Sequence, residues 1–440
     1  MGGTHVGENP QPKPVRGPGT RRGREPWGIL ANHVEIDKLL ASRTQRMEAS
    51  AVREILKVAS SPGVVSLAGG LPAAESFPLD IMEELTGTVL ARYGSRALQY
   101  DASEGFGPLR DALVPHLAER GVATNAGGIL VFSGSQGVLD AVGKLFISPG
   151  DVVAVETPTY LGALQAFNAY EPRYLSLEAD EDGLIPASLE RALATTHVKF
   201  VYLVPTFQNP TGRTLTLERR QKVAAILKAS GALLLEDDPY SDLRYTGERV
   251  PPIKALAPDN VIYLSTLSKT FAPGLRVGFC VAPEEVQRWL VVARQGVDLH
   301  TSTLSQALAA EYIGGGHLAR QLPKILDLYR PRQQAMLEAL ERHMPEDFHW
   351  TRPEGGMFVW VEGSPDLDTE RLYERAVARG VAFVPGAFFY ADHEGSASVP
   401  TARPASTLRM NFTAADPATI DRAVEVIAQC IAEEFAAHQA

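Results

Sequence analysis

Two cysteines in 440 residues rule out a disulfide scaffold, and both Cys280 and Cys430 lie in apolar runs that read as buried, inert thiols. A reducing, cytoplasmic location is therefore expected. No apolar run reaches the length of a membrane span, which argues against a membrane partner. No histidine, cysteine or carboxylate spacing matches a metal site. Basic excess is also missing: 42 Lys and Arg stand against 52 Asp and Glu, a net charge of -10, which disfavours a nucleic-acid partner. Residues 1–32 lack apolar periodicity and are rich in Gly, Pro and Arg, so a disordered basic tail is expected there. Arg21-Arg22 is followed by no apolar stretch, which excludes a twin-arginine export signal. The tail is also too short and too Gly/Pro-rich to fold as a winged helix.

What is present is an ordinary globular composition, 45% hydrophobic, in a chain long enough for two domains. From Gly128 the short apolar runs "ILVF", "DVVAVE", "KFVYLV", "ALLLED", "VIYLS" and "VGFCVA" alternate with helical segments such as "GVLDAVGKLF" and "ERRQKVAAILKAS". That alternation predicts a parallel α/β sheet covered on both faces. A long helical stretch from about Glu284 to Met344 follows. Then come "GGMFVWVE", "TERLYERAVARG", "VAFVPG", "TLRMNF" and a last helix from Pro417, which read as a smaller α+β domain. The expected division is a large domain over 75–315 and a small one over 316–440. Residues 33–74, largely helical from about His33 to Ser60, are expected to pack with the small one.

Ligands in open α/β sheets bind beyond the carboxyl ends of the strands. Here those ends carry "SGSQG", "TPTY", "PTFQNPTG", "DDPY" and "STLSK". Each has a plain reading as a turn, and Lys269 alone reads equally well as a solvated surface lysine. Together they match what pyridoxal 5'-phosphate needs from a protein: a lysine for its aldehyde, a carboxylate for its ring nitrogen, donors for its phenolic oxygen, and hydroxyls, amides and a cation for its phosphate. Lys269 would bind the aldehyde and then move the substrate's α-proton. Its amine would be held neutral by partial burial and the nearby Arg276. Asp237 would hold the ring nitrogen; Tyr240 and Asn209 would donate to the phenolic oxygen. Ser135 and Gln136, opening a helix after a glycine turn, would cradle the phosphate with Thr266, Ser268 and Arg276. Tyr160 could stack on the ring.

"QNPTG", "EDDPY" and "STLSK" followed by "GLRVG" resemble the fold-type I aminotransferases. "SLAGGLP", "QYDASEGF", "SGSQG" and "RPEGGMFVW" resemble the branch containing 2-aminoadipate and kynurenine aminotransferases. The likeness runs from about residue 35 to the C-terminus. It implies an α/β architecture with a mostly parallel seven-stranded sheet flanked by helices, a smaller α+β domain, and exchange of an amino group between an amino acid and a 2-oxo acid such as 2-oxoglutarate. It further implies that Arg409 pairs with the substrate α-carboxylate, assisted by Asn209, and that Gly69 and Gly70 lie close to substrate. Tyr100 would reach the phosphate of a neighbouring subunit in a homodimer with shared active sites. Arg53 would meet a distal carboxylate, although a solvated helix arginine is the competing reading. His300 is expected to be structural, since no positioned partner accompanies it.

Overall fold

The computed structural model describes residues 35–47, 55, 57, 61–391 and 406–439. Residues 1–42 and 43–440 fall into separate units; of the first, only 35–42 are described, with a single 3₁₀ turn at Ile36–Lys38. A second short 3₁₀ stretch covers Ser42–Arg46, so 3₁₀ turns replace the expected helix over 35–47, while Ile55 and Lys57, described farther along the 33–60 segment, are helical as expected. The expected basic tail and Arg53 lie outside the described residues.

In the second unit the apolar runs form strands because alternate side chains find cores on both faces. Along Ile129–Ser133, Leu130 and Phe132 join one core while Ile129 and Val131 join another. Seven such strands make one sheet, in the order Ile129–Ser133, Val277–Val281, Val261–Thr266, Leu234–Asp237, Val198–Leu203, Val152–Glu156, Arg173–Leu177. The edge strand Arg173–Leu177, sequence "RYLSL", is absent from the expected set; its burial is mixed, so it carries a weaker apolar signal. "VGFCVA" was expected to run parallel with the rest, and here the structure differs. Val277–Val281 is antiparallel to both neighbours. The turn from 267 to 276 is too short for a crossover, which a parallel return requires.

The reversed strand shapes the site. All other strands point their carboxyl ends to one edge of the sheet, whereas this strand brings its amino-terminal flank, Arg276, to that edge. Helices Ser135–Phe146, Leu161–Asn168 and Leu217–Ser230 cover the faces, the last capped where the Thr216 hydroxyl accepts from the Arg219 N–H.

A second, antiparallel sheet has the order His349–Trp350, Phe358–Glu362, Thr407–Asn411, Val384–Pro385. The run "VAFVPG", expected as one strand, splits in two. Val384–Pro385 joins this sheet, while Val381–Ala382 pairs in parallel with Val65–Ser66. The 27-residue helix His317–His343 packs against the closing helix Pro417–Gln439. No described helix is long and apolar enough to cross a membrane.

Candidate active site

The edge where the sheet strands end faces the second sheet, and a strip of backbone from Leu67 to Gly70 runs between them. The Asn411 N–H donates to the Leu67 carbonyl, tying this strip to the second sheet. Lys269 lies just past the end of Val261–Thr266, and its Nζ donates to the Gly70 carbonyl at 2.8 Å. Burial, then the Arg409 and Arg276 guanidinium charges, lower its amine to about 8. The sequence pointed to Arg276 as the cation; Arg409 acts more strongly.

Arg409 stands in the middle of Thr407–Asn411 and is only 3% exposed. Its Nη1 donates to Asn209 Oδ1 at 2.7 Å and its Nη2 to the Ala68 carbonyl at 2.6 Å. The faces of Phe358 and Phe389 flank the guanidinium, with centroids at 4.1 and 4.9 Å. Its Nε is buried without a partner, and it makes no ion pair among the described residues. Burial lowers it to about 10, so it stays cationic at neutral pH. A desolvated cation whose partners are all neutral is costly unless an anion arrives.

Asp237 ends the Leu234–Asp237 strand and is fully buried. Its Oδ2 accepts from the Tyr202 hydroxyl at 2.8 Å, and its Oδ1 has no partner. Burial raises this carboxyl to about 7; the Tyr202 hydrogen bond opposes the rise and the Asp238 charge adds to it. Asp238 is differently placed. It accepts from Tyr263 at 2.7 Å and from the Ser241 N–H at 3.2 Å, beside a buried ion pair of Arg120 with Asp242. Only Asp237 therefore presents a free buried acceptor.

Asn209 Nδ2 lies 3.5 Å from the Tyr240 hydroxyl, linking the arginine to the phenol. Burial and the neighbouring Tyr160 push the Tyr240 hydroxyl well up, so it remains a donor. Tyr160 precedes the helix Leu161–Asn168. Burial and the Asp237 charge raise its hydroxyl, while the Arg409 and Arg276 charges oppose the rise.

At the other end of the site, Gly134 carries φ +82, and a Cβ there would collide with the Arg276 guanidinium. The helix Ser135–Phe146 begins immediately after it, and the Ser135 and Gln136 N–H groups have no partner within the helix, while the Gly137 N–H donates to the Gly134 carbonyl at 3.1 Å. The Gln136 side chain donates one N–H to the Gly162 carbonyl at 2.7 Å, which anchors it beside the helix start. Thr266 and Ser268 hydroxyls lie 2.9 Å apart. Arg276 itself is exposed and bonds weakly to the Pro273 and Ser133 carbonyls at 3.3 and 3.4 Å. Tyr100 is 76% exposed, its ring edge-on to His300 at 5.6 Å, while His300 Nδ1 bonds the Thr301 carbonyl. Gly69 is buried, and a Cβ on Gly70 would come within 3.0 Å of Phe358.

These residues fit pyridoxal phosphate: a depressed amine, an orphaned buried carboxylate oxygen, phenol and amide donors, and a helix terminus ringed by hydroxyls and a guanidinium. The sequence reading missed Tyr202, Phe358 and Phe389. Tyr202 had a signal in "KFVYLV", as a lone polar tip in an apolar strand; the two phenylalanines had none.

The chain matches the family model "Aminotransferase class I and II" over residues 71–427. It is 43% identical to an aromatic-amino-acid aminotransferase of Thermococcus litoralis, over 92% of this chain and 97% of the relative. A kynurenine aminotransferase of Pyrococcus horikoshii, solved in complex with PMP, superposes with a TM-score of 0.85 at 41% identity, covering 91% of this chain and 98% of that one. An alpha-aminoadipate aminotransferase of Thermus thermophilus, complexed with N-(5'-phosphopyridoxyl)-L-leucine, superposes at 0.84 with 37% identity, over 92% and 100%.

Proposed function

The chain belongs to the class I and II aminotransferases and is a pyridoxal-phosphate-dependent enzyme of amino-acid transamination; from that premise we propose how its own residues divide the work. Lys269 would hold the cofactor covalently through its aldehyde, and its Nζ, once freed, would take the proton from the substrate Cα and carry it onward in the amino-group exchange. When bound, the cofactor would supply an aldehyde for the amino group and a protonated ring as an electron sink. Asp237, whose Oδ1 is buried without a partner, would hold the protonated ring nitrogen. Tyr240 and Asn209 would donate to the phenolic oxygen, and Tyr160 would cover the ring. The backbone of Ser135 and Gln136, the Thr266 and Ser268 hydroxyls and Arg276 hold the phosphate.

The observation that carries this reading is the buried Arg409, with neutral partners only, in the same site as Lys269. Three of its five N–H donors remain for an α-carboxylate. Gly69 and Gly70 let substrate approach the backbone strip. Two 2-oxo acid and amino acid pairs share the site in turn, with 2-oxoglutarate as the acceptor. The donors proposed are 2-aminoadipate-like, aromatic or branched-chain L-amino acids, supported by the activities named for the relatives. Arg53 is proposed to meet a distal carboxylate.

The working unit is a homodimer in which Tyr100, exposed on the monomer, completes the phosphate site of the neighbouring subunit. The large domain is assigned to 75–315 and the small to 316–440 together with 33–74, supported by the pairing of Val65–Ser66 with Val381–Ala382. A cytoplasmic location suits the two free, buried thiols. The test is incubation with 2-oxoglutarate and a panel of donors. Stoichiometric glutamate and 2-oxo acid support the reading; carbon dioxide, ammonia or a racemised donor instead would replace it with a lyase, oxidase or racemase.

A further inference from the structure

Tyr202 is fully buried, so its hydroxyl has no water and must find a protein partner. That partner is Asp237 Oδ2, at 2.8 Å. The contact follows from strand register. Tyr202 pairs with Leu235 across the parallel strands, and Asp237, two residues on, shares that face. The ring is held edge-on by Phe167 at 5.9 Å, which fixes where the hydroxyl points. Burial and the Asp237 charge push the Tyr202 hydroxyl far up, so it stays protonated and can only donate to the carboxylate. Among the described residues no other hydrogen bond reaches the Asp237 side chain, and Oδ1 is left open.

We propose that Tyr202 is a positioning residue for transamination: by fixing Oδ2 of Asp237 it turns Oδ1 toward the cofactor's ring nitrogen and holds the carboxylate in its charged form there. The proposal rests on the cofactor reading above. Without this donor the carboxylate can rotate, and burial favours its neutral form, which no longer keeps a proton on the ring. A hydrogen bond to a charged group corresponds to about ten- to a hundredfold in an equilibrium.

The test is Tyr202→Phe, which keeps the ring and its packing. In holoenzyme carrying ¹⁵N-labelled cofactor, the ring-nitrogen resonance should move toward the unprotonated position. The cofactor dissociation constant should rise about tenfold or more, and kcat should fall about ten- to a hundredfold with KM changed less than about threefold. Asp237→Asn is the benchmark, and adding Tyr202→Phe to it should cause little further loss, since both act through one carboxylate. An unchanged resonance and kcat in Tyr202→Phe, with Asp237→Asn strongly affected, would overturn the proposal and leave the cofactor reading intact. An Asp237→Asn variant with a wild-type resonance would instead remove Asp237 from the ring nitrogen, and the proposal with it. A lowered unfolding temperature in Tyr202→Phe with wild-type resonance and kcat would show a merely structural tyrosine.

Discussion

Arg409→Lys isolates what the guanidinium contributes to substrate binding. Arginine has five N–H donors, of which the structure commits one to Asn209 Oδ1 and one to the Ala68 carbonyl. Three remain, enough for a two-point hold on an α-carboxylate. Lysine has three donors on a single atom; with the same two oxygens to satisfy, one is left. The variant therefore loses one charge-assisted bond of two, about 1.5 to 3 kcal/mol, or roughly ten- to a hundredfold in kcat/KM. The assay is single-turnover consumption of the bound cofactor's absorbance by an L-amino acid and by the matching primary amine, which lacks the carboxylate. Loss on the amino acid with no loss on the amine is expected. Equal loss on both would show that Arg409 supports the site's shape and not the carboxylate, and the argument from its missing counter-ion would be refuted.

Three further outcomes are expected. The rate at which apoenzyme takes up cofactor covalently should rise about tenfold per pH unit below about 8 and level off above it, because burial and Arg409 lower the Lys269 amine to about 8; a rise continuing past pH 10 would mean an ordinary lysine. Asp237→Asn should remove most turnover, and because the folded carboxyl is raised to about 7, wild-type apoenzyme should lose stability relative to this variant as pH climbs from about 4 to 7 in thermal unfolding; Asp238→Asn, whose single carbonyl oxygen can accept from Tyr263 or from the Ser241 N–H but not both, should instead destabilise by about 1 to 3 kcal/mol. Arg53→Ala should raise KM for dicarboxylate donors by roughly one to two orders of magnitude and spare aromatic or leucine-like ones, in parallel steady-state kinetics; equal loss on both classes would make Arg53 structural.

Much of the site was legible because its residues follow strands directly. A parallel sheet aligns its strand ends, so reading what comes after each apolar run collects Ser135, Tyr160, Asn209, Asp237 and Lys269 without knowing the strand order. Arg276 was legible as a residue, while its route to the site was not: the antiparallel turn of Val277–Val281 depends on a connection too short for a crossover. Tyr202 escaped because its role depends on the register between two strands, which apolar runs do not encode. Phe358 and Phe389 come from the second sheet and its flanking turn, and nothing local distinguishes them from core phenylalanines. The split of "VAFVPG" had no signal either, because each half is completed by a distant partner, Val65–Ser66 or Thr407–Asn411.

The central claim is that Lys269 carries the cofactor and performs the proton transfer. Borohydride reduction of the holoenzyme, followed by peptide mass spectrometry, tests it most directly. The account predicts one phosphopyridoxyl group per chain, on Lys269, and none on a Lys269→Ala variant that still binds cofactor but no longer turns over. A label on any other lysine of the wild-type protein, or a Lys269→Ala variant that retains both the reducible linkage and turnover, would contradict it.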